Sequence, residues 1–181
     1  VSSKEAGAQK VIAIEASSES YGHTMRNRAL NDNRFEAHHR AISKEHGKPV
    51  YLDGSDKHEQ RSISDTDDGS SRSERVMSLA LEKLEMIDPT QEKLVVKLDV
   101  EGVEIPALEG ARSWLDKDTL VIFEDHGSDK EHLTAAAMME QFGLRVFDGS
   151  RNGSFVEITD IRQMDAIKYV HRKGYDFFAT K

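Results

Sequence analysis

The chain has 181 residues, enough for one domain with a proper core and short for two. Its 33 acidic and 25 basic residues leave a net charge of −8, which argues against general nucleic-acid binding. It has no cysteine, so disulfides and cysteine-ligated zinc are excluded, and its apolar runs are too short for a membrane span.

Val1-Ser2-Ser3-Lys4-Glu5 does not read as a secretory signal, so a soluble cytoplasmic protein is expected. Residues 1–9 read as the tail of a helix and its turn, with Gly7 as the stop. Residues 10–15 form a short buried strand ending in the acid Glu15. Ser17 or Ser18 then caps a helix running through Tyr21, Met25, Arg28 and Leu30. Strands are expected over 35–43, more weakly, and over 47–53, entered by a turn at Gly47. Residues 53–75 are polar and poor in apolar side chains. They read as a mobile loop or lid inside a single domain spanning 1–181. A short strand over 76–79 and a short helix over 80–86 follow, ending before Asp88-Pro89.

From Leu94 the chain is rich in Val and Leu, the pattern of a strand buried on both faces, and it then turns acidic at Asp99, Glu101 and Glu104. Gly102 gives the backbone freedom where that strand must end. Ile105, Leu108, Ala111, Trp114 and Leu115 then recur at helical spacing, with Gly110 tolerated inside the helix. Residues 119–124 form a second buried strand, ending in Glu124, Asp125 and His126. An Ala/Met-rich helix over 130–142 stops at Gly143. A strand over 144–148, a tight turn at 151–154, a partner strand over 155–158 and a last strand over 175–180 complete the chain.

Strands alternating with helices define an α/β protein, expected to be mostly parallel with an antiparallel C-terminal edge. In open α/β sheets ligands sit outside the carboxyl ends of the strands, which is where this chain concentrates its acids. Lys97 lies two residues before Asp99, hence on the same sheet face, and is expected to pair with a carboxylate such as Glu124. Glu104 reads as structural, and His38, His39 and His46 as surface or loop residues.

Laid out in this order, the chain resembles the FkbM family of S-adenosylmethionine-dependent methyltransferases. The most specific match is Lys97-Leu98-Asp99-Val100-Glu101-Gly102-Val103-Glu104. Val11-Ile12-Ala13-Ile14-Glu15-Ala16, Tyr21, Arg26-Asn27, Leu30-Asn31 and Ala41-Ile42-Ser43 match before it. Leu108-Glu109-Gly110-Ala111, Val121-Ile122-Phe123-Glu124, His126 and Phe142-Gly143-Leu144 follow. Two departures stand out. The family's first strand and glycine-rich loop have no counterpart here, so a segment preceding Val1, or another filling its slot, is expected. Ser78-Leu79-Ala80 also stands where the family usually shows Thr-Leu-Asp.

The resemblance implies a Rossmann-like class I methyltransferase sheet, N-terminally truncated, that takes S-adenosylmethionine. It implies cofactor contacts from Glu15, Ser17, Ala41, Ile42 and Asp99, with Glu15 accepting from the ribose hydroxyls. Catalysis would rest on Asp99, Glu101 and His126: Asp99 would orient the acceptor hydroxyl or take its proton, and His126 is a candidate general base because imidazole titrates near neutrality. The acceptor would be a hydroxyl of a small molecule, sugar or lipid-linked acceptor, and no metal is expected. A methyltransferase-like scaffold without catalysis is the alternative, and a nicotinamide-dependent dehydrogenase would share Glu15 without explaining the 97–104 string. Whether the chain acts as a homo-oligomer or within a larger parent protein is left open.

Overall fold

The computed structural model describes residues 7–52, 63–67, 69, 73–88, 93–100, 102–115, 118–151, 154–170 and 173–181. The apolar run before Glu15 forms β1 (Ile12–Glu15), and helix α1 (Ser18–Leu30) follows it. This helix buries none of its residues. Tyr21 stacks on His39 with ring centroids 5.0 Å apart, and Arg28 Nε donates to Phe35 O at 2.7 Å. The expected strand over 35–43 is two elements, β2 (Glu36–His39) and β3 (Ala41–Ile42). Strand β2 runs parallel to β1.

Strand β4 (Pro49–Leu52) pairs antiparallel with β5 (Ile63–Ser64) and β6 (Glu74–Leu79). Two pieces of the polar 53–75 stretch are therefore strand, while residues 53–62, 68 and 70–72 lie outside the described residues. The helix expected over 80–86 is a single 3-10 turn, Leu81–Lys83. Strand β7 (Leu94–Leu98) leads into α2 (Glu104–Glu109) and α3 (Arg112–Leu115).

The break between α2 and α3 falls at Gly110, where a continuous helix was expected. A Cβ at Gly110 would lie 2.2 Å from the Ser43 carbonyl oxygen and 3.2 Å from the Ala80 Cα. The close approach of two backbones, rather than helix propensity, decides the geometry there. Strand β8 (Thr119–His126), α4 (Leu133–Glu140), β9 (Arg145–Arg151) and β10 (Ser154–Ile158) follow. A 3-10 turn (Ile161–Gln163), helix α5 (Met164–Ile167) and β11 (Gly174–Thr180) end the chain. Asp160 and Gln163 form a reciprocal capping box at that turn.

The strands group into three hydrogen-bonded sheets, with orders β1-β2, β3-β6-β4-β5 and β10-β9-β11-β8-β7. The expectation of a mostly parallel sheet is corrected. Among the described pairings β1–β2, β3–β6 and β7–β8 are parallel, and the other five are antiparallel. The C-terminal antiparallel edge is as expected, with β11 inserted between β8 and β9. No helix is described between β4 and β6, and they meet as an antiparallel return, for which no crossover is needed.

Side chains alternate across the five-stranded sheet. Leu98, Val121, Phe123, Phe177, Ala179 and Val146 face one way and pack with Leu108, Met138 and Met164, each at most 1% exposed. Burying a side chain of the size of Phe123 or Phe177 stabilises the fold by roughly 1.5–3 kcal/mol. A second cluster draws Ile12 and Ile14 of β1 together with Leu94 and Val96 of β7, around Leu79, Leu81 and Trp114. Among the described strands, β1 is hydrogen-bonded to β2 alone and β7 to β8 alone.

Candidate active site

Strand alternation sends Leu98 and Phe123 into the core, so Lys97, Asp99 and Glu124 emerge on the opposite face. The antiparallel register of β11 adds Asp176, directly across from Glu124. Three carboxylates from three adjacent strands thus gather around one ammonium. Lys97 Nζ donates to Asp176 Oδ1 at 2.6 Å and lies 3.8 Å from Asp99 Oδ2. The lysine and Asp99 share a face as expected, but the expected partner, Glu124, is replaced by Asp176.

Glu124 is instead a neighbour of Asp99, one step beyond the Leu98–Phe123 pair of the parallel β7–β8 register. Its carboxyl is held above the usual glutamate range, first by burial, then by the adjacent Asp99 carboxylate. Lys97 partly offsets this, and Asp176 adds to it. Burial alone would lower the Lys97 ammonium, but the hydrogen bond and charge of Asp176, with the charges of Asp99 and Glu124, outweigh it and raise it. Room for the Glu124 side chain comes from Gly174, where a Cβ would lie 1.4 Å from Glu124 Oε1.

His126 ends β8 as an exposed residue and opens a turn closed by Asp129 N donating to His126 O at 3.0 Å. Its Nδ1 lies 2.6 Å from Ser128 Oγ and receives the Ser128 backbone N–H at 3.1 Å. Glu101 lies outside the described residues. Glu104 is structural, as expected: it is buried and its Oε1 accepts from Gly102 N at 3.3 Å, closing the turn before α2.

Glu15 lies at the end of β1, half-buried, and its Oε1 accepts from Ser17 N at 3.0 Å. An open cleft lined by Glu15, Glu19, Ser20, His23 and Thr24 lies beside it. Ser17 holds the N-cap position of α1 but makes no side-chain cap bond. Glu74 of β6 serves there instead, taking Ser18 N at 2.8 Å. The Ser17 hydroxyl is buried without a hydrogen-bond partner among the described residues. Ala41 has no exposed surface, pairs with Ser78, and packs with Val50, Leu52 and Val76. Ile42 is half-buried against the cores on both sides. The structure thus keeps Glu15 and Ser17 together at the end of β1 and commits Ala41 to packing. His38 and His39 are half-buried strand residues of β2 rather than loop residues, and His39 Nε2 lies 2.9 Å from Ala16 O and 3.3 Å from Glu74 Oε1.

Two residues of this region escape sequence reasoning. Asp176 enters through the register of β11, and Ser128 through the turn after β8, and neither carries a local signal. Among the described residues no group of three or more histidine, aspartate or glutamate side chains is placed to hold a metal ion. No helix of the described residues is long and apolar enough to cross a membrane.

The fold is a mixed α/β one with acids crowding the carboxyl ends of adjacent parallel strands, the edge at which α/β sheets take their ligands. A family model described as the Methyltransferase FkbM domain matches residues 1–177, nearly the whole chain, and the protein belongs to that methyltransferase family. No curated protein and no solved structure matches it.

Proposed function

We propose that the protein is an S-adenosylmethionine-dependent O-methyltransferase acting on a hydroxyl of a small molecule, sugar or lipid-linked acceptor. The observation that carries this reading is the Asp99–Glu124 pair, two carboxyl groups brought side by side by the adjacent parallel strands β7 and β8 in a chain of this family. Glu15 and Ser17 fit the cofactor. Glu15 has one oxygen engaged by Ser17 N and a second left for a ribose hydroxyl, beside a buried hydroxyl with no hydrogen-bond partner among the described residues.

When bound, the cofactor supplies a methyl on a sulfonium: an acceptor oxygen forms the new C–O bond, the C–S electron pair stays on sulfur, and the hydroxyl proton is released. The chain's own residues align the acceptor and take that proton. Asp99 is the proton acceptor. Glu124 beside it keeps a proton to higher pH than an ordinary glutamate, because it is half-buried next to the Asp99 carboxylate. Lys97, held by Asp176, offsets part of the local negative charge. A cytoplasmic location accords with the proposed cofactor.

Calorimetric titration of the intact natural protein with S-adenosylmethionine, and with NADH as control, tests this. Binding of the first alone is expected, weakened about tenfold or more by Glu15→Ala, the loss of a charge-assisted hydrogen bond. Binding of neither would overturn the reading and leave a non-catalytic scaffold.

A further inference from the structure

The turn after β8 bears on how His126 can act. Ser128 N approaches its Nδ1 at 3.1 Å, and a backbone N–H can only donate, so Nδ1 must present its lone pair. The Ser128 hydroxyl, 2.6 Å from the same nitrogen, is then a second donor. A neutral imidazole with Nδ1 as acceptor carries its proton on Nε2. The ring is exposed, so the nitrogen it offers outward is an N–H, while its basic nitrogen is turned into the protein's own turn.

We propose that His126 serves this site as a hydrogen-bond donor through Nε2, holding an oxygen of the acceptor, and not as the proton acceptor. The inference rests on the methyltransferase reading and sharpens its substrate: the acceptor carries a lone-pair oxygen, a neighbouring hydroxyl or a carboxylate, beside the hydroxyl that is methylated. The proton of the attacking hydroxyl passes to Asp99, and no proton is gained or lost by His126 during the transfer. This replaces the general-base role expected from sequence, which considered when imidazole titrates but not which nitrogen would face outward.

Long-range proton–nitrogen NMR on the full-length, nitrogen-labelled protein, at a pH where imidazole is neutral, reads the tautomer directly. The His126 signals are assigned by their loss in His126→Gln. The expected pattern is a protonated Nε2 and a bare Nδ1. The reverse pattern, or an even mixture of the two, overturns the proposal.

A second arm follows methyl transfer from S-adenosylmethionine to a panel of polyols and hydroxy acids. Glutamine places an N–H near the position of Nε2. His126→Gln should therefore keep kcat within about tenfold, raise KM and leave the pH–rate profile in place. Asp99→Asn should lower kcat by roughly 10²–10⁴-fold. Loss of the same size in His126→Gln, with a changed pH profile, would return the base role to the histidine. If the native protein transfers no methyl group to any acceptor while the tautomer is as expected, the methyltransferase reading fails and the role built on it goes with it.

Discussion

Glu124 and Asp125 are neighbours in sequence and point to opposite faces of β8, and each meets a lysine-bearing cluster of its own. On the Asp125 side the central side chains, Asp125, His132 and Lys168, are buried. Lys168, at the end of α5, donates to Asp125, to Asp129 O at 2.7 Å and to His132 Nδ1 at 2.8 Å. Asp125 also takes Ala135 N at 3.2 Å, and its side chain and that of Lys168 are 0% and 2% exposed. On the Glu124 side the groups are open to solvent: Lys97, Asp99 and Asp176 are exposed, and three carboxylates compete for one ammonium. The buried cluster has its charges matched and its polar atoms occupied, which fixes geometry. The open cluster leaves carboxyl groups facing one another, which makes a proton easy to move.

The contrast can be broken most severely at the buried lysine. Lys168→Met strands an uncompensated Asp125 charge in the interior, and urea denaturation should show a loss of about 3–5 kcal/mol. Adding Asp125→Asn, which keeps an acceptor for Ala135 N without the charge, should restore more than half of it. If the double variant is no more stable than Lys168→Met, charge burial is not the cause.

Two glycines beside β8 sharpen the comparison at smaller cost. A Cβ at Gly127 would meet the Val170 carbonyl oxygen at 2.3 Å, and backbone cannot easily yield. Gly127→Ala should cost about 1–3 kcal/mol. A Cβ at Gly174 meets the tip of Glu124 instead, which can swing aside. Gly174→Ala should cost about 1 kcal/mol or less, read by thermal melting, while displacing Glu124 from Asp99. Equal losses in the two variants would contradict this assignment of rigid and yielding neighbours.

The smallest effect lies in pH dependence at Glu124. Its folded-state carboxyl binds a proton more tightly than the unfolded chain's, so wild-type stability declines as pH rises from the ordinary glutamate range through the raised value. Glu124→Gln removes that decline. Since the group is only half-buried and its charged neighbours are exposed, the gain at neutral pH should be only a few tenths of a kcal/mol. Urea midpoints of the two proteins from about pH 4 to 8 should diverge upward, and parallel curves would refute the raised carboxyl.

Much of the strand layout was legible because strands such as β1, β4, β7 and β8 are apolar runs ended by acids or turn residues. Asp99, Glu124 and His126 were legible as strand ends for the same reason. The partner of Lys97 was not, because Asp176 becomes a neighbour only when β11 slots between β8 and β9 with Asp176 against Glu124. That is a long-range register, set by pairing across the sheet. The break of the helix at Gly110 was hidden for a related reason: the obstruction is Ser43, 67 positions earlier in the chain. The turn and helix over 161–167 did carry a local signal, the Asp160 and Gln163 capping box, that the sequence reading passed over. Alternation of strands and helices suggested parallel pairing, yet β4 and β6 return antiparallel, a difference that composition does not encode.

Gly110 also has a bearing on how the molecule opens. Its carbonyl receives Glu82 N at 2.9 Å, its Cα abuts the Ser43 carbonyl, and Ser43 N in turn donates to Leu79 O at 3.0 Å. The loop after β3, the turn after β6 and the α2–α3 junction are thereby joined at one point. Such a junction cannot open locally without parting all three, so in hydrogen-exchange terms the amides of Glu82 and Ser43 should exchange only through global unfolding. The ends of α1, whose residues are all outside the core, should exchange by fraying long before.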